Sequence, residues 1–218
     1  MILTLIVTLL SDTTFGRGDG VAGLVDEEIE HDPATGLPFI RGRTLKGLIV
    51  EECANLLYAL DKTPTIGDLR PVAEWLFGSG GSTLNDGAHL HIGRGELPDD
   101  LRRQVLASGY KASEILDSLT TIRRQTAIDE ETSISASGSL RSSRVLLRDL
   151  NFRAVLEFDQ EPTANHLALL SACVASVRRA GSGRNRGRGR VALKIEGDQE
   201  SFEKRLEEFE QLIKKGIV

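Results

Sequence analysis

The hydrophobic pattern divides the chain into a few strong segments separated by polar or glycine-rich ones. Met1 to Leu10 (MILTLIVTLL) is β-branched and leucine-rich, with Thr4 and Thr8 interleaved, and predicts a buried first strand. From Thr44, which is placed to cap a helix, Leu45, Leu48, Ile49, Cys53 and Leu56 recur at helical spacing, so a helix is expected to about Leu60. A shorter helix is expected around Pro71 to Phe77 and a strand over Ala88 to Ile92. A helix is also expected over Asp99 to Ser108. Phe152 to Phe158 reads as a strand. Asn165 to Val177 reads as an apolar helix with Leu167, Leu170, Val174 and Val177 in register, and Val191 to Ile195 as a last strand. Gln199 to Ile213 carries Phe202, Leu206, Phe209 and Ile213 on one face of an amphipathic helix.

The order strand, helix, strands, helix, strand is that of an α+β, ferredoxin-like (RRM-like) core. The domain expected from it runs over 1–198, with 199–218 as a C-terminal helical extension. Asp117 to Ser143 is rich in Thr, Ser and Arg and poor in core residues, so an inserted arm is expected at about 117–144. Ser11 to Gly23 and Gly78 to Gly87 read as loops. Asp32-Pro33-Ala34-Thr35-Gly36 has turn chemistry, with Pro in second place and Gly closing it.

Composition changes this picture in two ways. Aromatics are 5% of the chain, with one Trp, so stacking on aromatic platforms is not expected to dominate any nucleic-acid contact. The net charge of −5 hides an asymmetry: six arginines lie between Arg178 and Arg190 with no acid among them. Cys53 and Cys173 sit in apolar helical patterns without ligand-like spacing and read as buried thiols of a reducing compartment. The first ten residues have no basic flank and are too short for a membrane span of about 20 residues. The chain therefore reads as cytoplasmic and free of any membrane.

Two stretches carry binding chemistry. In Gly181-Ser182-Gly183-Arg184-Asn185-Arg186-Gly187-Arg188-Gly189-Arg190, glycines permit close backbone approach and arginines present planar forks suited to phosphate oxygens. Its position between an apolar helix and an apolar strand argues for an ordered loop. In Leu37 to Gly47, Arg41, Arg43 and Lys46 surround Gly42 at a helix N-terminus, where free N–H groups favour anions. Together the two suggest an extended anion track. His89 and His91, alternating on a predicted strand, are expected to share a face without a third metal ligand. His31 lies near the acidic run, and His166 starts a helix.

The segment Asp26 to Gly47, with its aspartate, its Asp32-Pro33-Ala34-Thr35-Gly36-Leu37-Pro38 turn and Gly42-Arg43-Thr44-Leu45-Lys46-Gly47, resembles the repeat-associated (RAMP) superfamily of CRISPR proteins. In that family an aspartate loop precedes an IPGSSLKG-like helix start. The Gly-Arg loop resembles the family's C-terminal G-rich loop. Thr121 to Asp129 followed by Gly138-Ser139-Leu140-Arg141 resembles the thumb region of type III backbone subunits, where an AID-x-x-T run leads into small residues. The likeness runs in order from the first strand to about Ile195. Arg41 stands where the family has proline, and Arg43 and Thr44 where it has serines, which adds positive charge to the helix start.

The resemblance implies a backbone-type subunit of a type III effector complex. Such a subunit grips guide RNA, with Arg41, Gly42, Arg43, Lys46, Arg123, Arg124, Gly181, Gly183, Arg184, Arg186, Gly187 and Arg188 as expected contacts. A thumb carrying Thr126, Ile128 and Arg141 displaces guide–target base pairs. Asp26 is the position matching the aspartate that supports target-RNA cleavage. Mg²⁺ or another divalent ion, loosely recruited by Asp26 with Glu27, Glu28 and Glu30 nearby, is an expected cofactor. Expected partners are guide RNA, target RNA, other subunits and, where the subunit stacks on itself, further copies of this chain. The competing readings are a scaffold subunit without chemistry, a stand-alone guide-processing nuclease, and an unrelated small-molecule enzyme. The absence of histidine from Thr44 to Leu60 and the Gly-Arg loop speak against the last two.

Overall fold

The computed structural model describes residues 1–61, 66–79, 87–126, 139–197 and 201–215. Strand β1 (Ile2–Leu9) buries Leu3, Leu5, Val7 and Leu9 on one face, the period-two signature of a half-covered sheet. Helix α1 (Gly42–Ala59) and helix α2 (Ile66–Phe77) lead to the short strand β2 (Leu90–Ile92). Later come β5 (Asn151–Phe158), helix α5 (Ala164–Ser176) and β6 (Val191–Glu196).

These four strands form one antiparallel sheet in the order β2-β5-β1-β6. Leu5 pairs with Ala154 on one side and Ile195 on the other. Taken by their place in the chain, the strands lie second, third, first, fourth, with α1 and α5 as crossovers. This is the α+β, ferredoxin-like arrangement. Phe152, Ala154, Leu156 and Phe158 of β5 face the helices, while Asn151, Arg153, Val155 and Glu157 face outward. Helix α5 is buried continuously from Leu167 to Val174 because α1, α2, α6 and the sheet all pack on it. Its Thr163 caps it, and His166 completes a capping box. Cys53 and Cys173 are free and buried between α1 and α5.

Several elements differ from the sequence expectations. Helix α1 begins two residues before Thr44: Arg41 is its N-cap, and Thr44 donates its backbone N–H to the Arg41 carbonyl. No side chain caps this end. Gly42 is pressed so close to the Ile92 and Gly93 carbonyls that a Cβ would collide with them. Helix α2 starts at Ile66, a turn before Pro71. His89 lies ahead of β2 and not in it. Its Nδ1 is 2.7 Å from Asp159 and its ring packs at 4.7 Å on Trp75, so it does not share a sheet face with exposed His91.

Between β2 and β5 the chain makes helix α3 (Asp99–Ala107), helix α4 (Ala112–Leu119), strand β3 (Thr120–Gln125) and strand β4 (Arg141–Leu146). The two strands form a separate antiparallel pair running from Thr120↔Leu146 to Gln125↔Arg141. Its root is fixed in the core: Val145 and Leu146 are fully buried, and Leu146 exchanges both backbone hydrogen bonds with Thr13 at 2.8 and 3.1 Å. The stretch read as an arm therefore opens on the end of α4 and contains β3 and most of β4 as paired strands. Most of its middle, with Ile128, lies outside the described residues. Helix α6 (Phe202–Lys215) packs on α5 through buried Phe209. Among the described residues, no helix is long and apolar enough to cross a membrane.

Candidate nucleic-acid interface

The loop after β1 turns back on itself at Val21 to Val25, whose backbones exchange two hydrogen bonds of 2.8 and 3.0 Å. It then runs alongside β4. The Asp26 and Glu27 N–H groups both donate to the Ser142 carbonyl at 2.9 and 3.1 Å, and the Arg144 N–H donates to the Glu27 carbonyl at 3.0 Å. Residues 26–28 thus extend the β3–β4 pair by a short parallel bridge, Glu27↔Ser143. Glu28 is buried beneath it against Arg144, whose Nε is 2.9 Å from Oε1 and 3.1 Å from Oε2. Arg144 also donates to Asp117 at 3.1 Å and Thr120 at 3.0 Å. A single buried guanidinium therefore ties the aspartate loop to the junction of α4 and β3.

This anchoring leaves Asp26 at the surface with a defined orientation. Its Oδ2 accepts from the Ser142 N–H at 2.6 Å and from the Ser142 hydroxyl at 2.9 Å. These bonds, helped by the Arg141 charge, hold its carboxyl below the ordinary aspartate range. No other residue among the described ones donates to Oδ1, which can accept a further hydrogen bond.

The Gly-Arg loop is folded against the same edge. Ala180 donates to the Gly189 carbonyl at 2.8 Å, Arg186 to Gly183 at 2.8 Å, Ser182 to Thr14 at 2.9 Å and Gly189 to Asp12 at 3.0 Å. Gly181 and Gly189 have φ of 78° and 77°, and a Cβ at either would strike the Thr14 or Ala180 carbonyl. Glycine is required there by both space and backbone hand. The Ser182 hydroxyl donates to the Glu27 carboxylate, tying this loop to the Asp26 loop. Arg184 grips Glu51 of α1 with two bonds of 2.7 and 3.0 Å, an ion pair that lowers the Glu51 pKa and raises that of Arg184. Arg188 buries Nε and Nη1 without a partner.

A cavity of about 530 Å³ results, lined by Asp26, Glu27, Gln125, Arg141, Ser142, Gly181, Gly183, Arg184, Arg186 and Arg188. It joins the aspartate loop, the root of the β3–β4 pair and the Gly-Arg loop. On the far side of Asp26, exposed Val21, Leu24 and Leu140 form an apolar rim beside Arg124. The cluster at the start of α1 stands apart from this cavity. Arg41 is ion-paired with Glu30, Arg43 is exposed, and partial burial lowers the Lys46 pKa. Arg43 shares a helix face with Glu51, and through the Glu51–Arg184 pair that face abuts the Gly-Arg loop. Thr126 directly follows β3 and does not line the cavity.

The acids expected to recruit a divalent ion are engaged elsewhere: Glu27 by Ser182, Glu28 by Arg144 and Glu30 by Arg41. Among the described residues no group of three or more His, Cys, Asp or Glu could hold a metal. The donor set does not fit an ion held by the protein: Asp26 gives one oxygen to Ser142, Glu27 one to Ser182, Glu28 both to Arg144, and among the described residues no third carboxylate joins Asp26 and Glu27 in the cavity. His31 bonds to the Ile29 carbonyl and does not line the cavity. Ser142 and Ser182, which position Asp26 and Glu27, were not singled out from sequence. Ser182 stands inside the Gly-Arg loop but without the charge or backbone freedom that drew attention to its neighbours, and the partners of the two serines lie 116 and 155 residues away.

No curated protein matches the chain. The fold is similar to that of a chain in a cryo-EM structure of the type III-B Cmr-beta complex in its apo state. That match has 14% identity and a TM-score of 0.65, and covers 89% of this chain and 97% of that one. A chain of Cmr-beta bound to cognate target RNA is similar at 13% identity and TM-score 0.64, over 94% of this chain and 99% of that one. The family model described as the RAMP superfamily matches residues 6–192, from within β1 to within β6. The chain belongs to the RAMP superfamily.

Proposed function

We propose that this chain is a backbone-type, RNA-binding subunit of a type III CRISPR effector complex, and that Asp26 supports cutting of target RNA paired to the guide. The observation that carries this is the shared cavity: the exposed, oriented carboxylate of Asp26 lies among Arg141, Arg184, Arg186 and Arg188. A carboxylate alone would repel RNA. Surrounded by guanidinium groups, it can sit beside a phosphodiester without excluding it. The solved structures with this fold come from Cmr-beta complexes, one of them bound to cognate target RNA.

The chemistry follows from the hydrogen bonds. In RNA cleavage by the 2′-hydroxyl, the 2′-oxygen attacks phosphorus and gives its proton to solvent water, while the bond to the 5′-oxygen breaks and that oxygen takes a proton from water. A carboxylate whose pKa is depressed by two Ser142 donors is a weak base. Its fitting role is to accept the 2′-O–H at Oδ1 and hold the oxygen in line. The neighbouring arginines stabilise charge that builds on the phosphate oxygens.

A scaffold subunit without chemistry is the second reading. It is favoured by one observation: Asp26 Oδ2 staples its loop to β4, which gives the residue a structural task of its own. Both readings require bound guide RNA. Purification from the host, followed by sequencing of co-purifying RNA, tests them together. A discrete set of small RNAs sharing repeat-derived ends is expected, and protein free of RNA would sink both.

A further inference from the structure

Beside the Asp26 cavity lies a second one of about 400 Å³, and its lining places five arginines against one aspartate. Arg123, Arg124, Arg148, Arg186 and Arg188 converge there around Asp12. The carboxylate is already neutralised: Oδ2 is 2.7 Å from the Arg123 guanidinium, and Oδ1 accepts the Arg148 backbone N–H at 3.2 Å. Arg124, Arg148, Arg186 and Arg188 have no carboxylate partner among the described residues. Two guanidinium nitrogens of Arg188 are also withdrawn from solvent unpaired. Four like charges and a desolvated donor in one concavity are unfavourable until an anion enters.

We propose that this cavity seats a phosphodiester of bound RNA, with Arg148 as a ligand that the sequence did not reveal. The inference rests on the RNA-binding reading above and deepens it. The two cavities share Gln125, Arg186 and Arg188, but only one contains Asp26. A strand phosphate held against Asp12 and Arg148 is therefore gripped away from the free carboxylate oxygen. Arg148 lies in the exposed turn between β4 and β5, and its backbone rather than its side chain holds Asp12. Substituting it leaves that anchor in place.

The test is anisotropy of a labelled single-stranded RNA on the full chain over a salt series, comparing wild type, Arg148→Ala and Arg148→Lys. A seated phosphate predicts that R148A weakens binding about tenfold and flattens the salt slope by about 0.7. R148K restores the slope but not all the affinity, because the ammonium keeps the charge and loses the fork. A merely structural role would not move the slope. Equal affinity and slope for wild type and R148A, with wild-type binding still salt-dependent, overturns the seat and leaves the RNA-binding reading standing. Wild-type chain that binds no RNA at any salt overturns both. Loss of inorganic phosphate binding in R148A, seen by calorimetry, with RNA binding unchanged means the cavity takes free phosphate only, and the assignment to RNA fails.

Discussion

Arg144 lies with its Nε 2.9 Å from Glu28 Oε1, and both side chains are withdrawn from water, one on β4 and the other two residues after Asp26. This pair joins the aspartate loop to the strand that carries Ser142. Breaking it strands a guanidinium in the interior. Glu28→Ala is expected to cost about 3–5 kcal/mol. At this chain length that lowers Tm by about 10 °C in a thermal melt. Glu28→Gln, which keeps an acceptor for Arg144, should lose clearly less. Equal melting of Glu28→Ala and wild type would show that the pair does not hold the loop.

Ser142 sets the ionisation of Asp26. Removing its hydroxyl in Ser142→Ala leaves the backbone donor and takes away the second bond to Oδ2, so the Asp26 pKa should rise toward the ordinary aspartate value. Because the folded-state value is depressed, the staple contributes stability above the unfolded-state pKa. That contribution is lost as pH falls through the folded one. In Ser142→Ala it should be smaller, and lost at higher pH, than in wild type. NMR titration of the Asp26 carboxyl carbon reads this directly, and an unchanged midpoint in the variant would contradict it.

The glycines of the Gly-Arg loop should not be equivalent. Gly181 combines φ of 78° with a Thr14 carbonyl where its Cβ would go, whereas Gly187 has φ of 82° and open space around it. Gly187→Ala should cost about 1 kcal/mol, from backbone conformation alone. Gly181→Ala should cost more and detach the loop from Thr14, so RNA affinity should fall with it. Denaturant unfolding and RNA binding measured side by side test this contrast, and similar behaviour of the two variants would refute it.

How much of this was legible in the sequence depended on range. Leucine and valine periodicity in β1, β5 and α5 placed the core, because one face or all faces of those elements are buried. The Gly-Arg loop was visible from composition, and its ordering followed from its two apolar neighbours. Strands β3 and β4 were missed as strands. Thr120 to Gln125 has no apolar alternation, and its pairing with Arg141 to Leu146 is satisfied across an intervening insertion. The resemblance implied metal recruitment by the acidic run, yet Glu27 and Glu28 are bound to Ser182 and Arg144, more than a hundred residues away, and Glu30 to the nearer Arg41. Local pattern reports burial and turns; it does not report which distant serine or arginine completes a carboxylate.

Guide binding through the backbone has its own signature. Replacing Arg184, Arg186 and Arg188 together with Ala should weaken binding of all RNA sequences alike and reduce the salt dependence of affinity. Competition with RNAs of different composition measures this. A changed sequence preference with unchanged salt dependence would contradict it.

If grip and cutting share one cavity, Asp26→Ala in the assembled, guide-loaded complex separates them. Asp26 faces solvent and adds negative charge beside the arginines, so its loss should leave guide content and target pairing intact. Cutting of a labelled complementary RNA should fall by about 10²-fold or more, the scale of losing a group that holds the attacking oxygen in line. Glu27→Ala serves as a control for the loop's link to Ser182 and should retain cutting. The Asp26→Ala complex should bind target RNA as wild type does and leave it uncut. A complex with Asp26→Ala that cuts at the wild-type rate would contradict this.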